Sequence, residues 1–208
     1  MIQSNTIRLV PIHEVSLPKR VEASQLIFDA IPEFYEIFGN KRNVLLLISE
    51  LLGKTNSDIS SGVMALDNDC VVGICTWVSN ENLSSAQMYH LHYLRTKLAR
   101  GNKIFLPKLK SYYEKIEPNH DLKSLYLSRI TVSRDYRGTG LSSRMVDEFM
   151  KHVDAGQFGS LHVKVNNRRA IKFYNKMGFD FISSSSPPLS HQLKNQNYNY
   201  RLMVTKSR

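Results

Sequence analysis

The sequence predicts an α/β (α+β) fold, a β-sheet flanked by helices, on three observations. Ser124 to Phe179 reads in succession as strand, glycine turn, helix, strand and helix. Gly62 to Leu66 and Val71 to Val78, both rich in apolar residues, flank Asp67-Asn68-Asp69 and read as a hairpin with a three-residue turn. Ahead of them, Leu17 to Leu52 carries apolar residues at helical spacing.

From the N-terminus, Thr6 to Val10 is expected to form a short first strand. Leu17 to Ile31 is a helix on the spacing of Val21, Ser24, Gln25, Phe28 and Ile31, and Pro32 breaks or restarts it because proline is tolerated only in a first turn. Glu33 to Phe38 and Val44 to Leu52 are further helical pieces, parted at Gly39-Asn40. Beyond the hairpin, Leu83 to Leu98 reads as helix, and Leu106 to Ile116 as another opened by Pro107. Structureless connections of this length are rare in compact domains, so residues 80–121 are expected to be a helical insertion. Such an insertion either lines a substrate pocket or packs as an appendage.

Ser124 to Val132 is a strand closed by the polar run Ser133 to Tyr136. A helix follows from Leu141, with Met145, Val146, Phe149 and Val153 on one face. Between strand and helix stands Arg137-Gly138-Thr139-Gly140. The first N–H groups of a helix lack partners within it, and the helix dipole adds positive character there. Glycines at that point let an anion approach the backbone, so this turn is a candidate phosphate cradle, with Arg134, Arg137 and Arg144 adding charge. An ordinary tight turn is the plainer alternative. Downstream, Leu161, Val163 and Val165 alternate with His162 and Lys164 as a half-buried strand, and Asn166 or Asn167 can cap the next helix. Ala170, Phe173, Tyr174 and Met177 share a face of that helix, and Gly178 ends it. Ser183 to Pro188 reads as a surface link, and Tyr198 to Thr205 as a closing strand.

Two other glycine-loop chemistries fail on spacing. A dinucleotide fold needs a third glycine where Ser143 stands, and a P-loop needs a Gly-Lys-Ser/Thr run that is missing.

Together these residues resemble the coenzyme-binding half of the GNAT superfamily of N-acetyltransferases. Arg137 to Ser142 is similar to its Arg/Gln-x-x-Gly-x-Gly/Ala pattern, with Ser142 in the last small position. Asn167, Ala170, Phe173-Tyr174 and Gly178-Phe179 resemble its Asn-x-x-Ala-x-x-Leu/Phe-Tyr-x-x-x-Gly-Phe motif. The resemblance implies one acetyltransferase domain over residues 1–208, with a mixed, mostly antiparallel twisted sheet of about six to seven strands between helices. Residues 122–182 would be its coenzyme-binding core, and acetyl-CoA its cosubstrate. Ile130, Thr131 and Val132 would pair with the pantetheine arm, and the backbone of Arg137, Gly138, Thr139, Gly140, Leu141 and Ser142 would hold the pyrophosphate. Asn167 would fix the pantetheine from the other side, Ala170 and Phe173 would wall the channel, and Tyr174 would protonate the departing sulfur. Without the flanking motif, Tyr174 would read as an ordinary core aromatic.

The resemblance implies acetyl transfer to a primary amine of a small molecule, amino acid or peptide, by direct attack in a ternary complex. Many relatives place a carboxylate base where this chain has Ser128, and a hydroxyl is a poor base for an ammonium group. Glu33, Glu36, His90, His92 and Glu114 are possible substitutes, and none is assigned. The Ser128 departure leaves open a coenzyme-binding module without transfer chemistry.

Composition sets the remaining bounds. At 208 residues, 42% hydrophobic and 22% charged, the chain fits a single soluble domain. No apolar run approaches the roughly 18 residues of a membrane span, and Met1 to Val10 lacks secretory features, so a cytoplasmic protein is expected. The 28 Lys and Arg against 18 Asp and Glu give a net charge of +10. That excess admits an RNA- or ribosome-associated acetyltransferase, with Lys97 to Lys115 as the candidate basic patch, although no nucleic-acid motif is visible. Cys70 and Cys75 are expected to be buried free thiols on opposite faces of one strand. His90 and His92 lack companions for a metal, and no metal is expected. A monomer or homodimer is anticipated, and the closing strand could serve a dimer.

Overall fold

Residues 7–98, 123–185 and 200–206 of a computed structural model are described. They build one seven-stranded sheet in the order β1-β2-β3-β4-β5-β7-β6, with helices on both faces. The strands are β1 (Arg8–Pro11), β2 (Ser61–Asp67), β3 (Cys70–Ser79), β4 (Ser124–Val132), β5 (Phe158–Lys164), β6 (Asp180–Ser185) and β7 (Tyr200–Lys206). Every neighbouring pair is antiparallel except β4 and β5.

The β2–β3 hairpin turns on Asn68 and Asp69, both with positive φ (46° and 65°), while Asp67 pairs with Cys70. The turn is therefore of two residues, not the three expected. Asn and Asp are the non-glycine residues that best tolerate this conformation. Along β2, Val63 and Ala65 face one hydrophobic core and Met64 the other, which is the period-two alternation of a sheet buried on both sides.

One face carries α1 (Leu17–Ala30), the single turn α2 (Pro32–Tyr35), α3 (Lys41–Leu51) and α4 (Asn80–Leu98). Pro32 opens α2, as a proline must. Asn40 caps α3 by accepting the N–H of Arg42 at 2.9 Å. Ile27, Phe28, Tyr35 and Ile48 fill the core beneath, against Met64 and Ile74 of the sheet. Helix α4 begins directly at the end of β3, so the expected insertion starts as helix at Asn80. The expected helix Leu106–Ile116, Glu114, and the basic patch beyond Leu98 lie outside the described residues.

The other face carries α5 (Leu141–Met150) and α6 (Arg168–Lys176). Met145, Val146 and Phe149 of α5 pack on Trp77 and Leu127. Val153, grouped with this helix on periodicity, lies past its end and is still buried.

Two expectations are corrected, and the closing strand is located. Ser183–Ser185, read as part of a link, belong to β6. The closing strand β7 lies inside the sheet, between β5 and β6, and is hydrogen-bonded to both. Cys70 is exposed at the start of β3, and only Cys75 is buried.

Two irregularities in β4 shape the site. β4 and β5 pair over only three positions, Ser124 with Phe158, Leu125 with Gly159 and Tyr126 with Ser160, and then separate. Across the other edge, Trp77 pairs with Leu127 and Thr76 with Arg129, so Ser128 is an extra residue in a β-bulge.

Candidate active site

A cavity of about 550 Å³ opens where β4 leaves β5. Ile130, Thr131 and Val132 line it from β4. Arg137, Gly138, Gly140 and Ser142 line it from the glycine turn and the start of α5, and Asn167, Ala170, Phe173 and Tyr174 from α6. The fold thus brings together residues separated by more than forty positions in sequence.

Gly138 and Gly140 have φ of +82° and +86°, and Gly140 is the left-handed N-cap of α5. A Cβ built on either meets no protein atom within 4 Å, so both glycines face open space. This is the geometry of a backbone surface that an anion can approach.

Two expected residues stand apart from the lining. Leu141 turns into the core and is fully buried. Thr139 uses its hydroxyl on the carbonyl of Tyr136 at 2.8 Å. The cationic contribution also differs from expectation: Arg144 reaches back to the carbonyl of Ile7 at 2.9 Å, and Arg134 is an exposed residue outside the lining. Arg169 and Lys176 join Arg137 in their place. Their contribution follows from helical spacing on α6, a signal that was present once that helix was recognised.

Asn167 rather than Asn166 caps α6, accepting the N–H of Ala170 at 3.1 Å. Tyr174 sits with its ring 5.2 Å from Phe173 and 5.8 Å from Phe179. Burial, then Cys75 and Tyr126, raise its phenol well above the ordinary tyrosine range, so it stays protonated.

Tyr126 and His162 were not singled out from the sequence. His162 Nδ1 lies 3.2 Å from the hydroxyl of Tyr126, where β4 and β5 part. Burial lowers the imidazole pKa to about 4, so the ring is neutral near pH 7. Tyr126 is the last β4 residue paired with β5, and it is one of the groups that raise the Tyr174 phenol. Of these three titratable groups Tyr174 lines the cavity, and Tyr126 and His162 are paired behind the lining.

Ser128, in the place expected of a base, has a buried hydroxyl with no hydrogen-bond partner among the described residues. Its carbonyl accepts from Arg129 Nη1 at 2.7 Å, and Arg129 Nη2 is 3.7 Å from Asp58. Among the substitutes considered, His90 is buried against Asp58 at 2.6 Å, while Glu36 and His92 are exposed. Among the described residues, no group of three or more His, Cys, Asp or Glu could hold a metal ion.

Residues 26–179 match the model of the acetyltransferase (GNAT) family. The chain belongs to the GNAT family. This GNAT chain is 32% identical over 73 residues to a Drosophila melanogaster protein described as probable N-acetyltransferase san, a stretch covering 34% of the chain and 40% of that protein. It is 29% identical over 73 residues to N-alpha-acetyltransferase 50 of Danio rerio, covering 34% and 44%. The chain thus spans less than half the length of these relatives. Among solved structures, an N-acetyltransferase from Staphylococcus aureus Mu50 superposes with a TM-score of 0.65 at 17% identity, over 96% of this chain and 99% of that one. A second acetyltransferase gives 0.65 at 16% identity, over 97% and 99%. At such identities the likeness is one of fold, and it extends the GNAT architecture across the described sheet.

Proposed function

We propose that this GNAT chain is an N-acetyltransferase that moves the acetyl group of acetyl-CoA to a primary amine. The supporting observation is the cavity that joins the left-handed glycines of the α5 N-terminus to Tyr174, with the Tyr126 and His162 pair buried behind its lining where β4 and β5 part. One end has the chemistry of a phosphate site and the other the chemistry of proton transfer. The name of one relative, an N-alpha-acetyltransferase, agrees with an amine acceptor.

When bound, the coenzyme supplies an activated acyl group as a thioester. The backbone of Gly138 to Ser142 holds its phosphates, with Arg137, Arg169 and Lys176 as counter-charges. The part of β4 that lacks a β5 partner, Ile130 to Val132, offers backbone groups to the pantetheine amides. Asn167 and Phe173 close the channel from α6.

The amine nitrogen sheds one proton as the C–N bond forms. Tyr126 oxygen takes it while passing its own proton to His162 Nδ1, the neutral ring being in the tautomer that accepts there. Tyr174, held protonated, donates to the sulfur as the C–S bond breaks. Water returns the two side chains to their starting states.

Thiol release from acetyl-CoA, followed against a panel of amines and peptides, tests the reading. Transfer to an amine above the rate of hydrolysis is the expected result. Tight coenzyme binding with no transfer to any acceptor would instead mark a binding module.

A further inference from the structure

A second hollow, of about 430 Å³, lies on the α4 side of the sheet and shares no lining residue with the first. Thr55, Asn56 and Ser57 form one wall, and Asn82, Ser85 and Tyr89 of α4 the other. Its floor includes Val78 and Ala86. We infer that this hollow seats the acceptor, and that the acceptor is an uncharged peptide segment presenting its free α-amine. The inference rests on the acetyl-transfer reading above.

Position is the first argument. Val78 pairs with Tyr126 across β3 and β4, and Val78, Leu83 and Tyr126 form one small hydrophobic cluster. The hollow is thus one side-chain layer from the phenol that meets His162. Tyr126 links the two surroundings: it packs with Val78, which lines the second, and is among the groups that raise the phenol of Tyr174, which lines the first.

Rigidity is the second. Asp58, directly after the Thr55–Ser57 wall, contacts His90 of α4 at 2.6 Å, and both side chains are wholly buried. The two segments that carry the walls are therefore tied to one another. Arg129 extends the tie to the bulge of β4 through Asp58 and the Ser128 carbonyl. The rim is ordered as well, with Asn82 Nδ2 donating to Ser79 Oγ and Ser85 Oγ to the carbonyl of Asn82, each at 2.9 Å.

Chemistry is the third. None of the described residues that line the hollow is charged. Hydroxyls and primary amides both donate and accept, which matches the alternating N–H and C=O groups of a peptide backbone. A polyamine or a sugar bearing several amines would bring charges that find no carboxylate there. The proton-handling pair points the same way. With an imidazole pKa of about 4, His162 is too weak to strip an ammonium ion, so the amine must arrive neutral. At pH 7.5 an α-amino group with pKa near 8 is roughly one-quarter neutral, against roughly one molecule in a thousand for a lysine amine.

The test compares the protein with its Ser85→Phe and Asn56→Asp variants. Acceptors are an uncharged tetrapeptide with a free α-amine, an α-blocked lysine peptide, and spermidine. The free α-amine should be preferred by about 200-fold in kcat/KM over the lysine amine, following the neutral fractions. Ser85→Phe should raise the peptide KM at least tenfold while the acetyl-CoA Kd and the melting temperature stay put. Asn56→Asp should improve spermidine relative to the peptide. A wild-type peptide KM in both variants, or a preference for spermidine or the lysine amine, overturns the inference while leaving acetyl transfer intact. If no amine is acetylated, the transfer reading fails, and fluorescence anisotropy of the labelled peptide with coenzyme A present decides the hollow. Binding that Ser85→Phe abolishes keeps the site, whereas absent or unchanged binding removes it.

Discussion

Asp58 Oδ1 and His90 Nδ1 meet at 2.6 Å with neither side chain reached by solvent. Burial alone would raise the carboxyl pKa, but the charge and hydrogen bond of His90, together with Arg129, outweigh it and hold Asp58 ionised below its ordinary range. Removing one partner strands the other in the core. Asp58→Asn should therefore lower stability by about 3 kcal/mol at pH 7, measured by urea unfolding. A depressed folded pKa stabilises above the unfolded value and is lost as pH falls through the folded one. The gap between wild type and Asp58→Asn should accordingly hold from pH 5 to 8 and close below about pH 4.

Tyr126→Phe and His162→Asn should each cut turnover by about 100-fold or more, with the acetyl-CoA Kd unchanged by calorimetry. Because the His162 pKa is held to about 4, its protonation should leave no acid limb in kcat above about pH 5. An acid limb near pH 6.5, traced with an amine of low pKa, would show an ordinary exposed imidazole and remove the buried pair from the mechanism.

Tyr174→Phe is expected to lower turnover while leaving coenzyme affinity almost unaltered, because the ring packing against Phe173 and Phe179 survives. Wild-type turnover in an assay limited by chemistry would exclude Tyr174 as the acid.

Gly140→Ala forces a side chain into the left-handed region, at roughly 1–2 kcal/mol. Its new methyl meets open cavity rather than protein, so the larger effect falls on the ligand. The acetyl-CoA Kd should rise tenfold or more by calorimetry, beyond any loss read from thermal melts.

The two cysteines should separate cleanly under a thiol reagent. Cys70 is exposed, whereas Cys75 is buried and burial lifts its pKa far above a reactive thiol. Native protein should label once by mass and denatured protein twice.

The glycine turn, the capped α6 helix and the hairpin were legible because each is a local pattern of spacing within a few residues. Tyr126 with His162, and Asp58 with His90, were not. Each pair joins residues more than thirty positions apart, and only the strand register and the docking of α4 bring them together. The same limit explains Arg144 and β7. Charge near a motif does not say which way an arginine turns, and alternation marks a strand without saying that both its edges are taken. Ser128 was conspicuous as a departure from a family pattern, but its bulge depends on pairing with β3 that no local residue encodes.

The brief contact between β4 and β5 also bears on mechanics. Within the sheet, β1 to β4 and β5 to β7 are two wings stitched by the three pairs from Ser124 to Tyr126. A ligand that bridges Ile130–Val132 and α6 acts as a suture along the rest of that seam. Substrate binding should then restrain the relative breathing of the wings, and the protein should be at its stiffest when it is ready to react.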